Sequence, residues 1–289
     1  MWADSDLQPY LDDLGVPGIV DVHVHFMAPQ ILDAVWRYFD AAGPKLGRPW
    51  PIAYRTSEDE RVETLRALGV RRFTALSYAH KPGVATFMND WNAGFARRVP
   101  DSVHSATFFP EPEAAEYVPA AIADGARVFK AHLQVGEFAA DDPLLDPVWK
   151  TLERERVPIV LHAGSGPMPG PHTGPRGVAN VLERYPDLTL VVAHLGMPEV
   201  DEFCDLAESH PHVRLDTTMT FVDFFEDVPP VDPQRLLALQ DRIVFGSDFP
   251  NIPYAYAHQV EALDRLGLGP DWMRAVLWEN GGALFGVAD

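Results

Sequence analysis

The chain is short of cysteine. It has one, Cys204, in 289 residues. A single thiol closes no intrachain disulfide and excludes cysteine-rich zinc modules. Basic residues are scarce too: 23 Lys and Arg against 42 Asp and Glu, a formal charge of −19. That balance gives no global electrostatic reason to bind nucleic acid or an anionic membrane. No apolar run approaches the roughly 18 residues of a membrane span. The opening MWADSDLQPYLDDLG lacks the basic and apolar regions of a secretory signal, so a cytoplasmic protein is expected. There is no G-x-G-x-x-G or G-x-x-x-x-G-K-[ST] phosphate loop, no internal repeat and no low-complexity tract. With 47% apolar and 22% charged residues, the chain reads as a single globular domain over 1–289.

Two residue types are abundant. Proline numbers 27, about twice the usual share, and implies many fixed loops. Histidine numbers 11, and several histidines interrupt otherwise apolar runs. Eight such runs read as strands: 19–25 (IVDVHVH), 72–78 (RFTALSY), 103–109 (VHSATFF), 127–133 (RVFKAHL), 158–163 (PIVLHA), 188–195 (LTLVVAHL), 213–219 (VRLDTTM) and 242–248 (RIVFGSD). Helical patterns fall between them. Residues 57–68 open on a capping-box Ser and Glu, and 143–156, 86–97, 113–123, 176–185, 200–210 and 233–240 follow helical spacing. A final helix is expected over 270–285, closed by Gly286. Alternating strands and helices fit an open doubly wound sheet or a closed (β/α)8 barrel, and eight units favour closure. Residues 27–56 read as a loop insertion after strand 1, over the C-terminal mouth of the barrel, and 168–175 as a second mouth loop.

A barrel carries its chemistry at the C-terminal ends of its strands. Strand 1 ends in His23-Val24-His25, whose i, i+2 spacing turns both imidazoles to one face. Strand 4 carries Lys130 and His132, strand 5 His162, strand 6 His194 and strand 8 Asp248. Imidazoles and a carboxylate suit zinc first, and also manganese, iron or nickel. Three histidines of the set His23, His25, His162 and His194, with the carboxylate of Asp248, make a site for one divalent cation that activates a bound water, with Asp248 or His194 moving its proton. Lys130 is open to three readings: a carbamylated bridge between two metals, a substrate-carboxylate contact, or a partner of Glu111. His132 reads equally as substrate contact or inward filler. His172 and Arg176 lie in mouth loops, where the Arg176 fork can clamp a substrate carboxylate. Cys204, on a helix, reads as structural. Trp272 and Trp278 read as exposed on the last helix and allow a homodimer. The partner expected of the site is a small-molecule substrate.

The ordered set D-V-H-V-H (21–25), FKAH, LHAG, VAHLG, GSDFP and ENGGALFG resembles the amidohydrolase superfamily, specifically its amidohydrolase-2 branch of TIM-barrel metal-dependent hydrolases. The resemblance spans about 19–286. It implies that His23, His25, His162 and Asp248 bind a divalent metal, often zinc. His194 then holds a second metal or polarises the substrate, and Asp248 also transfers a proton. It implies hydrolysis of an amide, lactone or related bond of a small, carboxylated substrate. The alternative it implies is non-oxidative decarboxylation, as in relatives that resemble aminocarboxymuconate-semialdehyde decarboxylase. A barrel whose site has decayed to a binding or scaffold role is the third class, and it conflicts with a full ligand set.

Overall fold

The computed structural model describes residues 1–224 and 231–287. The chain divides into two compact units, 1–73 with 217–289, and 74–216. In chain order the first unit begins with α1 (Leu7–Leu14), β1 (Ile19–Asp21), α2 (Pro29–Leu46), α3 (Glu58–Ala67) and β2 (Val70–Thr74, its last residue opening the second unit). The second unit carries α4 (Ala85–Arg98), β3 (Ser102–Val103), β4 (Ser105–Thr107), α5 (Ala114–Ala123), β5 (Val128–His132), α6 (Leu133–Gly136), α7 (Asp146–Glu155), β6 (Ile159–His162), α8 (Pro175–Arg184), β7 (Leu190–Val192), α9 (Val200–Ser209) and β8 (Val213–Asp216). The first unit resumes with α10 (Pro233–Ala238), β9 (Ile243–Val244), α11 (Ala257–Asp264), α12 (Pro270–Arg274) and α13 (Asn280–Phe285).

In the second unit β4 to β8 form a parallel sheet, each strand paired with the next in sequence. Their residues are almost wholly buried on both faces, which is why β6 and β7 read as continuous apolar runs rather than alternating ones. Lys130 lies within β5 beside Val160 of β6, and His132 is the register partner of His162. In the first unit β1 pairs in parallel with β2. Val22 N donates to Phe245 O at 2.9 Å just past β9. The motif glycine Gly281 sits where a Cβ would come within 2.8 Å of Val20, so α13 approaches β1 through a missing side chain.

The capping box at Ser57 is formed: its hydroxyl accepts from Glu60 N at 3.3 Å, and its N–H donates to the Glu60 carboxylate at 2.9 Å. The helix it starts is not solvated all round, because Arg61 is only 4% exposed and lies over the Phe26 and Trp36 rings. The region after β1, expected as an irregular loop, is largely the 18-residue helix α2. Leu32, Val35, Trp36, Phe39 and Ala42 repeat at helical spacing, and the punctuating Gly43-Pro44 obscures that pattern. The opening segment is likewise helical, with Leu7, Leu11 and Leu14 buried on one face of α1. A further helix that the sequence reading did not anticipate, α11, follows β9. The final helix is broken by a wider turn over 275–279. Trp272 and Trp278 on it are buried, not exposed, and Trp272 Nε1 donates to Leu236 O. They offer no exposed apolar face, so the dimer expectation loses the observation it rested on. No helix among the described residues is long and apolar enough to cross a membrane.

Candidate metal centre

In the first unit the strands are shorter than the apolar runs, and His23, His25 and Asp248 lie beyond the regular ladders. β1 ends at Asp21. The chain stays extended beyond it, because Asp248 N donates to His23 O at 2.8 Å and His25 N to Phe249 O at 2.7 Å. Val24 and Phe249 form an isolated parallel bridge between them. This pairing carries the end of one segment alongside the end of the other. His23 and His25, two apart, therefore meet Asp248. His25 Nε2 stands 2.7 Å from Asp248 Oδ1, and His23 Nε2 stands 3.5 Å from it. The two imidazole rings meet edge to face at 5.1 Å.

Beneath the cluster lies Asp21, fully buried. Its Oδ1 accepts from His23 N at 3.1 Å and Ser247 N at 3.2 Å, and its Oδ2 accepts from Tyr256 Oη at 2.8 Å. One carboxylate thus ties down both segments that carry the cluster. Ser247 is held further: its carbonyl accepts from Gln259 Nε2 at 2.7 Å, and its hydroxyl accepts from Phe249 N at 3.0 Å. Asp248 itself has φ 64°, a left-handed conformation that a non-glycine residue holds only against surrounding constraint. The sequence pattern carried no signal for Ser247, Tyr256 or Gln259 in this role.

The cluster fits a divalent cation. Its three donor atoms lie within 4.8 Å of one another, and both imidazoles are almost fully buried. Ligands at ~2.1 Å around a tetrahedral ion stand roughly 3.4 Å apart, close to the His23–Asp248 separation. Two imidazoles with one carboxylate are also a donor set that holds such ions. Among the described residues this is the only group of three or more such side chains close enough to share an ion.

The remaining expected residues lie in the second unit. His132 and His162 stack face to face, ring centroids 3.8 Å apart and 9° between planes, and His194 meets His162 at 4.8 Å. His162 Nε2 is 2.9 Å from Gly166 O. A carbonyl only accepts, so Nε2 carries a proton in this contact. His194 has a left-handed backbone (φ 58°), and its N–H donates to Asp216 at 2.8 Å. Gly164 lets the loop after β6 approach the one after β7: a Cβ there would lie 2.4 Å from Met197 O.

Lys130 is buried in β5. Glu111, one of its suggested partners, accepts from Gly83 N at 2.8 Å and from Tyr117 Oη at 3.0 Å. Arg176 is exposed in the first turn of α8 and His172 is half-buried before it. Cys204 is buried on α9. Trp36 and Trp50 act as anchors: their indole N–H groups donate to Asn251 Oδ1 at 3.1 Å and to Asn251 O at 2.7 Å. They pin α2 and its following segment to the loop just past Asp248.

A family model described as Amidohydrolase matches residues 20–287. No curated protein matches the chain. Solved structures do. An uncharacterized TIM-barrel protein from Bordetella bronchiseptica is 22% identical, covering 93% of this chain and 98% of its own at a TM-score of 0.75. A putative 2-pyrone-4,6-dicarboxylic acid hydrolase from Pseudomonas putida is 17% identical over 94% and 98%, with a TM-score of 0.63. A 5-carboxyvanillate decarboxylase from Novosphingobium aromaticivorans is 16% identical over 94% and 97%, also at 0.63, and was solved with manganese and a nitrobenzoic acid. These likenesses give the fold, an α/β TIM barrel.

Proposed function

This chain belongs to the amidohydrolase family, and from that premise we propose that it is a metal-dependent hydrolase of a small, carboxylated organic substrate. The observation that carries the reading is the meeting of His23 and His25 with Asp248, three donors drawn from two ends of the sequence. In this reading the ion is zinc, with manganese the ion of the solved decarboxylase. When bound, the ion supplies a Lewis acid that polarises a substrate oxygen and makes water nucleophilic near neutral pH.

The chain's own residues do the rest. The backbone pairing of His23 and His25 with the segment around Asp248 holds the three side chains together, and an ion between them would open the 2.7 Å contact of His25 Nε2 with Asp248 Oδ1. Asp248, whose side chain is 15% exposed, is open enough to exchange a proton with substrate or water. His162 keeps, as a proposal, the ligand role read from the sequence. His194 keeps that of polarising the substrate or moving a proton. Lys130, His132, His172 and Arg176 remain proposed substrate contacts.

A second reading is non-oxidative decarboxylation, supported by the likeness to the carboxyvanillate enzyme. In it Asp248 delivers its proton to the carbon that loses CO2.

Ion content of the purified protein tests the premise. Near-stoichiometric zinc or manganese is expected, with His23→Ala and His25→Ala losing it. Unchanged content in those variants refutes the centre. CO2 release from aromatic or dienoic acids, set against ring opening of lactones, separates the two reactions. His194→Asn should retain the ion yet lower turnover by about 10²–10⁴.

A further inference from the structure

Tyr254 follows Asp248 in a segment fixed from several sides. Asn251 N donates to Asp248 O, and Ala53 N to Ile252 O, each at 2.9 Å. Tyr256 N donates to Tyr54 Oη at 2.6 Å, and Tyr256 Oη donates to Asp21. The Tyr254 ring itself packs against Phe224 at 5.7 Å and against His258 at 5.5 Å. His258 is immobilised in turn, with its two ring nitrogens 2.7 Å from Asp223 and 3.1 Å from Glu261. Everything about this side chain is determined except its polar atom. The hydroxyl is enclosed and has no hydrogen-bond partner among the described residues.

A buried hydroxyl without a partner is unfavourable, and native folds rarely leave one unless something else occupies the place. The other tyrosines around it illustrate the rule. Tyr54 Oη bonds Asp4 and Tyr256 Oη bonds Asp21. Tyr254 departs from it six residues after Asp248, in the segment that Asn251 N ties to the Asp248 carbonyl. We propose that Tyr254 is a substrate-binding residue whose hydroxyl donates a hydrogen bond to a carboxylate or carbonyl oxygen of the substrate beside Asp248. The inference rests on the reading of His23, His25 and Asp248 as the reaction centre and adds to it the recognition of the substrate's oxygen. A phenol keeps its proton up to about pH 10, and burial raises that limit, so it remains a donor at every working pH. A donor held rigidly in place before the ligand arrives loses nothing to reorganisation on binding.

Tyr254→Phe in the full chain isolates the hydroxyl, since the ring contacts to Phe224 and His258 stay. Three quantities are measured: manganese uptake, the thermal midpoint of the ion-free protein, and benzoate and acetate binding to the ion-loaded protein by calorimetry. The expected result is unchanged uptake, a midpoint equal to or above that of the parent, and carboxylate binding weakened about tenfold. Carboxylate affinity within twofold of the parent, or no binding by the parent itself, overturns the inference while leaving the centre intact. A midpoint lowered by several degrees also overturns it, by assigning the hydroxyl to the fold. Failure of the parent to take up manganese refutes the centre, and the inference falls with it.

Discussion

Replacing Asp21 should weaken both the fold and the ion site, although Asp21 itself is not among the donors that meet. Its carboxylate accepts from two backbone N–H groups and one phenol, all buried. A hydrogen bond to an ionised group contributes ~1.5–3 kcal/mol. The three share one acceptor and are not additive. Asp21→Ala leaves all three donors without it and should cost ~3–5 kcal/mol, in the upper range for a single substitution. Asp21→Asn is gentler. Its amide oxygen can still accept from His23 N and Ser247 N, while its amide NH2 turns towards Tyr256, whose hydroxyl can reverse and accept. That variant should lose ~1–2 kcal/mol. Urea unfolding reads the stability, and ion content at limiting zinc reads the site, with a loss of about 10–100-fold in affinity expected for a support of this kind. If Asp21→Ala unfolds at the parental urea concentration and binds zinc as tightly, the claim that this carboxylate holds the two segments together is wrong.

Four further outcomes follow from the structure. Ser57→Ala removes the cap of α3 and should cost about 1 kcal/mol by urea unfolding; an unchanged midpoint would show that the cap contributes nothing. Glu60 is held below the usual carboxylate range by its bonds to the Ser57 backbone and hydroxyl. Its contribution is therefore present above that range and lost as pH falls through it, so Glu60→Gln should flatten the acid limb of stability. His104 is half-buried between β3 and β4, and burial first of all lowers its pKa. Below about 6.5 the unfolded chain binds this proton more readily than the folded one. Stability should then fall with acidification, and His104→Gln should remove part of that fall; an identical pH profile would contradict the assignment. Trp36→Phe deletes the N–H that bonds Asn251 while keeping a ring beside Arg61. About 1 kcal/mol of stability should be lost with zinc uptake retained, and a loss of zinc would show that α2 also supports the ligands.

Local pattern shows where a chain alternates between strand and helix, and the sequence was a good guide there. The runs around 128–132, 159–162 and 213–216 form strands because each is a short stretch opened by a β-branched residue and buried over most of its length. The helix at 58–67 begins where Ser57 and Glu60 cap it. The region after β1 was misread because Gly43 and Pro44 outweighed a helical repeat. The last-helix tryptophans were misread because periodicity identifies a helix but not what covers each of its faces.

The same division runs through the site. His23, His25 and Asp248 were legible because histidine and aspartate are costly at the ends of apolar strands unless they perform a task there. That cost is a property of residue type and local context, so it is written in the sequence. What only the tertiary structure decided is how those side chains are held: Asp21 bonding two segments that lie more than two hundred residues apart, indoles from α2 and the segment after it reaching Asn251, and the Tyr254 hydroxyl enclosed without a partner among the described residues. Each depends on which distant segments the chain brings together. Hydrogen bonds act over a few ångströms of space, whatever the separation along the chain, so no local pattern encodes them.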